Sequence, residues 1–414
     1  MHSITRRNLL GVAGASLLAT AAAYGADWPM YRGPDHDGHA DEKIGTAWPP
    51  GGPRIVWQVP MGLGFSSVSP VGDAAYCNGE KDGKESCWKL DAKTGKVQWI
   101  TTIDQAITDR QGGDGPRSTP TVSGDHVFVL GTYLKLDCLN AKDGSRVWRV
   151  DLQKEYGGQV PGWGSAASPV LDSDRIFLNS GAGNGKSLMA FDSATGKNIW
   201  AKESDDLVHS SPTPATIDGV RQIIFLTGSG LVSMEPQTGA VLWRYAFPHK
   251  VSTAASPVVG GNMVYCSAAY NVGAGCVEVH KSGDKFTVRE LWRKPRKLMN
   301  HWATPVYFDK YLYGLYEDSP ASLRCVEMAT GNIMWSQSKR EIWRGATVFV
   351  DGFVLVQEPE GDLVLVKADP AQYKELARCQ PMQGKCWTMP TISDGHIFAR
   401  SDKQVVCLDV SNMA

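Results

Sequence analysis

Short apolar runs separated by turns rich in Gly, Asp and Ser set the rhythm of this chain, and the stretch from Ala166 to Trp200 shows it most clearly. Ser168-Pro169-Val170-Leu171 predicts a short strand and Asp172-Ser173-Asp174 a turn. Arg175-Ile176-Phe177-Leu178-Asn179 predicts a second strand with alternating apolar side chains, and Gly181 to Lys186 turns the chain back. Ser187-Leu188-Met189-Ala190-Phe191-Asp192 is the third strand, and an Ala194-Thr195-Gly196 turn leads to a fourth that ends at Trp200. Runs of this length, bounded by turn residues, are strand and hairpin signals, with Gly supplying the positive φ that a tight turn needs.

The pattern recurs. Trp57, Trp99, Trp148, Trp200, Trp243, Trp292 and Trp335 follow one another at gaps of 42, 49, 52, 43, 49 and 43 residues. Opening strands are expected at Ser69-Pro70, Thr119-Pro120, Pro214, Ser256-Pro257 and Thr304-Pro305. A repeat of this period means stacked copies of one supersecondary unit that cannot bury its apolar face alone. Four antiparallel strands per copy around a ring predict an all-β propeller. Two copies are worn: the one ending at Trp292 carries Ser282-Gly283 at its turn, and the next-to-last, roughly Trp343 to Arg378, has Asp369-Pro370 and no terminal Trp. The C-terminal copy supplies only three strands, while Arg54-Ile55-Val56-Trp57 is an orphan fourth. Pairing the two leaves no open sheet edge and gives eight blades, with seven as the main alternative.

Five copies carry a phrase before the Trp, such as Asp91-Ala92-Lys93-Thr94-Gly95 and Asp192-Ser193-Ala194-Thr195-Gly196. It resembles the tryptophan-docking motif of the eight-bladed pyrroloquinoline-quinone (PQQ) propellers, over about residues 53–410. That superfamily includes quinoprotein alcohol dehydrogenases and the propeller lipoprotein of the outer-membrane β-barrel assembly machine. The resemblance implies that each Trp packs on the neighbouring blade. Asp27-Trp28-Pro29-Met30-Tyr31-Arg32-Gly33-Pro34 is similar to the N-terminal segment of exported PQQ-like propeller proteins.

Composition narrows the classes. A net charge of −1 argues against a nucleic-acid partner, which calls for excess Lys and Arg. Thr5-Arg6-Arg7-Asn8-Leu9-Leu10, then Gly11 to Ala23 and Ala23-Tyr24-Gly25, resemble a twin-arginine signal with its cleavage site. The expected organisation is a signal peptide at 1–25, an N-terminal extension at 26–52 and a propeller domain at 53–414. The mature chain should have no membrane span and act in the periplasm or otherwise outside the cytoplasm. Asp35-His36-Asp37-Gly38-His39-Ala40-Asp41-Glu42 reads as a solvated lead-in, since its spacing matches no calcium loop. Gly183-Asn184-Gly185-Lys186-Ser187 reads as a hairpin turn, because it joins two strands and lacks the first glycine of a phosphate loop. Of nine cysteines, Cys77–Cys87, Cys266–Cys276 and Cys379–Cys386 flank turns and are candidates for local disulfides. Cys138, Cys276, Cys325 and Cys407 fall at the small third-strand position of Ala190.

Candidate chemistry comes from position. Residues just before each innermost strand of a propeller gather at one mouth of the central channel. Arg117, Trp163, His209, His301, Arg344 and Trp387 are the candidate ligand-binding set there. Rings for stacking and guanidinium groups for carboxylates suit an anionic planar ligand such as PQQ. Family dehydrogenases hold Ca²⁺ beside the quinone and cover it with a vicinal disulfide. No adjacent Cys-Cys pair occurs here and no metal set is assignable, Asp114 and Asn300 being the comparable residues. The expectation is therefore an exported binding or scaffold module, taking a small anionic ligand or a protein segment at the channel mouth. The alternative is a PQQ-dependent dehydrogenase oxidising alcohols or sugars, with Ca²⁺ and with Asp114 as its candidate base.

Overall fold

The computed structural model describes residues 27–338 and 345–411. They form eight blades of four antiparallel strands, running from an inner strand to an outer one in chain order in blades 1 to 7, with a short parallel fifth strand, His39–Ala40, added to the inner edge of blade 7. Blades 1 to 7 occupy 69–105, 121–151, 170–202, 213–246, 258–295, 306–337 and 346–379. Blade 8 combines 391–409 with the N-terminal strand Arg54–Pro60, which pairs antiparallel with Gln404–Asp409 and sets Trp57 opposite Cys407. The ring is thus closed by its own N-terminal strand, with eight blades. Arg400, 1% exposed, ties this seam by donating from Nη2 to the carbonyl of Gly62 (2.9 Å) and from Nη1 to that of Ser66 (3.2 Å).

The repeated phrase is a turn built to receive an indole. In the first copy the Asp91 carboxylate accepts the Thr94 amide at 2.9 Å and its hydroxyl at 2.7 Å, and the Gly95 amide closes onto the Asp91 carbonyl. Gly95 has φ +70, and a Cβ there would lie 2.8 Å from Trp57 of the preceding blade. The same approach recurs at Gly144, Gly196, Gly239 and Gly331, at 2.6–2.9 Å from the indoles of Trp99, Trp148, Trp200 and Trp292. Glycine is required twice over, for its φ and for the missing Cβ. Each indole N–H also donates to a carbonyl of the next blade's turn, as Trp57 does to Ala92 (2.8 Å) and Trp200 to Pro236 (3.0 Å). Within its own blade the Trp lies opposite a small residue, Cys138, Ala190, Ser233, Cys276, Cys325 or Cys407, with Lys89 the exception. That cross-strand slot accounts for four of the nine cysteines.

The worn copies depart for visible reasons. The hairpin of strands Gly273–Ser282 and Lys285–Pro295 is elongated, so its turn at Gly283 lies far from Trp243. That indole donates instead to Gln222 of its own blade (2.5 Å). In blade 7, Ala377 stands where a Trp would be, while the Asp369 carbonyl still receives the Trp335 N–H at 2.8 Å.

Every outer strand carries a one-residue bulge. In seven blades the bulged residue immediately precedes the Trp, among them Val147, Ile199 and Met334, and in blade 7 it precedes Ala377. Bulges add local twist and interrupt the ladder, which blunts an edge that would otherwise pair with another chain.

Two expectations need correction. The segment 35–42 is not a solvated lead-in. Trp28, Met30, Arg32, His36, Ala40 and Ile44 are all buried. The extension stops one end of the channel by bonding to six of the eight blades. Its contacts include Trp28 N–H to the Pro70 carbonyl, Val122 N–H to the Pro29 carbonyl, and a short parallel pairing of His39–Ala40 with Phe349 and Val350. Arg32 donates to the carbonyls of His36, Asp37, Thr304 and Pro305 at 2.7–3.3 Å. Nor do the candidate disulfides form, as all nine thiols are free and buried. Register explains two of the three. Cys77 lies opposite Trp88 and Cys87 opposite Asn78, so the two thiols are one register step apart and point to opposite faces of the sheet. Cys266, opposite Gly275, and Cys276, opposite Tyr265, have the same parity. The loop 183–187 joins two strands as a turn, as expected.

Candidate functional site

At the end of the channel away from the extension lies a cavity of about 280 Å³. Its neck takes one small residue from the start of each blade, including Ser67, Thr119, Ser168, Ser211, Thr304 and Thr388. Four of these hydroxyls join neighbouring blades by accepting amides: Thr119 from Ser67 N–H (3.1 Å), Ser168 from Thr119 (2.9 Å), Ser211 from Ser168 (2.9 Å) and Thr304 from Ser256 (2.9 Å). Tyr31 of the extension also lines the cavity, 3.5 Å from the Thr304 hydroxyl, and so links the stopper to the mouth.

Above the neck the wall is aromatic. Phe65 stacks on Trp387 (centroids 5.3 Å, 17°), Trp387 meets Trp302 at 5.4 Å, His301 lies 4.4 Å from Trp302, and Tyr270 abuts His301 edge-on at 4.8 Å. Trp163 stands on the far side, 42% exposed, at the third position of a turn closed by Gly164 N–H onto the Pro161 carbonyl (3.0 Å). Its φ is +67, a conformation that this turn position normally gives to glycine.

The sequence-derived set is distributed as follows. Arg117, Trp163, His209, His301 and Trp387 line this one cavity. Asp114 is not among its lining residues; its carboxylate accepts the Asp109 amide at 2.7 Å and shapes the loop. Arg344 lies outside the described residues. Sequence reasoning missed the partners Phe65, Tyr270 and Trp302 as one stacked wall, and the role of the neck hydroxyls, whose signal was the recurring Ser/Thr-Pro at each strand start.

Electrostatics leaves little free charge. Arg117 Nη1 donates to the Gly115 carbonyl (2.7 Å), and Nη2 to the Gly113 carbonyl (2.9 Å) and to Asp109 (3.2 Å). His209 is held neutral: burial, reinforced by the nearby Arg117, pushes its pKa down to about 4. Asn300, buried, spends its amide on the Leu315 carbonyl and its oxygen on Tyr265. Among the described residues no three of His, Cys, Asp and Glu group to hold a metal. A tricarboxylate quinone with calcium wants several free cations and such a group. The described residues do not fit that pair.

A family model described as outer membrane protein assembly factor BamB matches residues 83–309, more than half of the 414. A relative with that same description, from Burkholderia pseudomallei, is 26% identical over 301 residues, 69% of each chain. Among solved structures, BamB from Moraxella catarrhalis superposes with a TM-score of 0.62 at 16% identity, covering 86% of this chain and 97% of that one. A quinohemoprotein alcohol dehydrogenase from Comamonas testosteroni gives 0.67 at 12% identity, covering 94% and 81%. At such identities the structural likenesses speak for the fold alone. Docked tryptophans, eight blades and the matched repeats converge: the chain belongs to the PQQ-repeat propeller family described as outer membrane protein assembly factor BamB.

Proposed function

We propose that this protein is an exported scaffold that holds a partner outside the cytoplasm, in the manner that the name of its assembly-factor relatives suggests, with the channel mouth as its recognition site. Export is supported by the arginine pair at Arg6-Arg7 and the small-residue stretch after it. No helix among the described residues is long and apolar enough to cross a membrane. One observation carries the recognition reading: a concave, ring-walled mouth whose sole described guanidinium, Arg117, is already bound by its own loop. Such a cavity favours an uncharged group presented by a partner. The dehydrogenase reading gains nothing from the donor set.

The test is reconstitution of the purified protein with PQQ and Ca²⁺, following quinone absorbance and dye reduction with alcohols and aldoses. The expected outcome is no saturable quinone binding and no dye reduction. Saturable binding with turnover would replace the scaffold by an enzyme.

A further inference from the structure

The mouth has two unlike walls. On the side of blades 2 to 4, Thr119, Ser168 and Ser211 each accept an amide, and none gives its own hydroxyl hydrogen to another group among the described residues. A hydroxyl that accepts can still donate, so three donors remain unused around the neck. His209, 7% exposed, lines the same side with its ring against the backbone carbonyls of Gly162 and Gly164, and its Nδ1 lies within hydrogen-bond distance of no described group. A buried polar atom left unpaired is unfavourable, and in a cavity wall it marks where a ligand would bond. On the side of blades 6 to 8, Trp302 and Trp387 form a paired aromatic face.

Trp163 completes the arrangement. Its loop precedes blade 3, three blade steps from the loop bearing Trp302 before blade 6 and three from the loop bearing Trp387 before blade 8. Its indole therefore stands across the mouth from that pair. Its left-handed φ and its exposure are unfavourable for an indole, and backbone strain of this kind collects at functional sites.

A ligand matching both walls has a polar edge and an apolar face. We propose that the mouth binds an uncharged pyranose ring, with hydroxyls on Thr119, Ser168, Ser211 and His209 and its C–H faces against Trp163 and the Trp302–Trp387 pair. An aromatic side chain would fill the space but leave those donors and the His209 nitrogen unanswered. Among the described residues that line the cavity a charged ring would meet no free countercharge, since Arg117 is bound to Asp109, and the Lys385 ammonium outside that lining stands over the Trp387 ring at 5.1 Å. The proposal rests on the mouth being the recognition site and names the chemistry it recognises, whether the ring belongs to a free saccharide or to a glycan.

The test titrates the full protein with glucose, galactose, N-acetylglucosamine, cellobiose, maltose and N,N′-diacetylchitobiose, read by tryptophan fluorescence and calorimetry. Glucuronic acid is the charged control and N-acetylphenylalaninamide the aromatic one. At least one neutral sugar should saturate, with glucuronic acid roughly tenfold weaker or more. Trp163→Gly should lose roughly tenfold or more in affinity while its thermal midpoint holds or rises, because glycine relieves the turn. Co-sedimentation with cellulose or chitin as well as binding of the soluble dimer points to a glycan; dimer binding alone points to a free saccharide. Unchanged affinity in Trp163→Gly would overturn the proposal. If N-acetylphenylalaninamide alone saturates, the sugar is overturned and the mouth remains a recognition site. If no probe saturates, both fall.

Discussion

Acidification from pH 7 to about 4 is expected to strip stability from the propeller through two buried imidazoles. His36, in the stopper segment, and His209, at the mouth, both have pKa values pushed down to about 4, in each case chiefly by burial. The unfolded chain takes up these protons near pH 6.5 and the folded one resists until about 4. Their contribution is therefore complete above pH 6.5 and is lost as pH falls towards 4, at about 3 kcal/mol per imidazole. Glu85 works in the opposite direction. Buried in blade 1, with its Oε2 accepting the Thr132 amide at 2.9 Å, it has a pKa raised by burial to about 7. Its contribution is full below pH 4.5 and is lost as pH rises through about 7, by about 3 kcal/mol. These three groups together contribute a net loss of about 3 kcal/mol to urea unfolding between pH 7 and 4, and Glu85→Gln should roughly double that contribution. A flat profile in Glu85→Gln would mean that neither imidazole is buried neutral.

Replacing Trp200 by Ala is expected to cost about 3–5 kcal/mol, the range for deleting a buried aromatic. The ring is 5% exposed, packs in a cluster with Phe177 of its own blade and Ile223, Phe225 and Val232 of the next, and donates to the Pro236 carbonyl. The loss falls on the joint between blades 3 and 4, so the urea midpoint should drop and the slope should also change if the ring opens before it unfolds. Trp200→Phe retains most of the apolar area and loses the N–H bond, for about 1 kcal/mol. A cost below about 1 kcal/mol for Trp200→Ala would show that the indole does not join the blades.

The joints between blades were legible in the sequence because one short phrase encodes them completely. Asp91 or Asp192 closes the turn on its Thr, the glycine takes positive φ, and the spacing to Trp fixes where the indole meets the next glycine. The closing strand was legible for the same reason, Trp57 having no blade of its own until paired with Cys407. The stopper was not. Its residues bond to carbonyls and strand ends scattered over six blades, and such contacts impose no periodicity, so Gly33, Pro34 and the charges of 35–42 read as solvated. The apolar Trp28, Met30 and Tyr31 were the available signal. Two of the three disulfide candidates failed on parity, which shows only once the register around Cys77 and Cys266 is known.

The mouth was legible as a place, since residues before inner strands must converge there, and five of the six proposed residues do line one cavity. Their chemistry was not legible. Arg117 looked like an anion ligand but spends its donors on Gly113, Gly115 and Asp109, and His209 looked ionisable but is buried neutral. Both outcomes depend on loop conformation and desolvation, which residue type alone does not carry. Trp163 gained its significance only from a φ value.

On the proposed function, recognition occurs at the mouth and not along the bulged outer rim. Site-specific photo-crosslinking in living cells separates the two, with p-benzoylphenylalanine placed at Gln111, in the cavity wall, or at Ile333, 48% exposed on the outer strand of blade 6. A discrete, light-dependent adduct from position 111 and none from position 333 is the predicted result. Adducts from position 333 alone would place recognition on the rim and contradict the account.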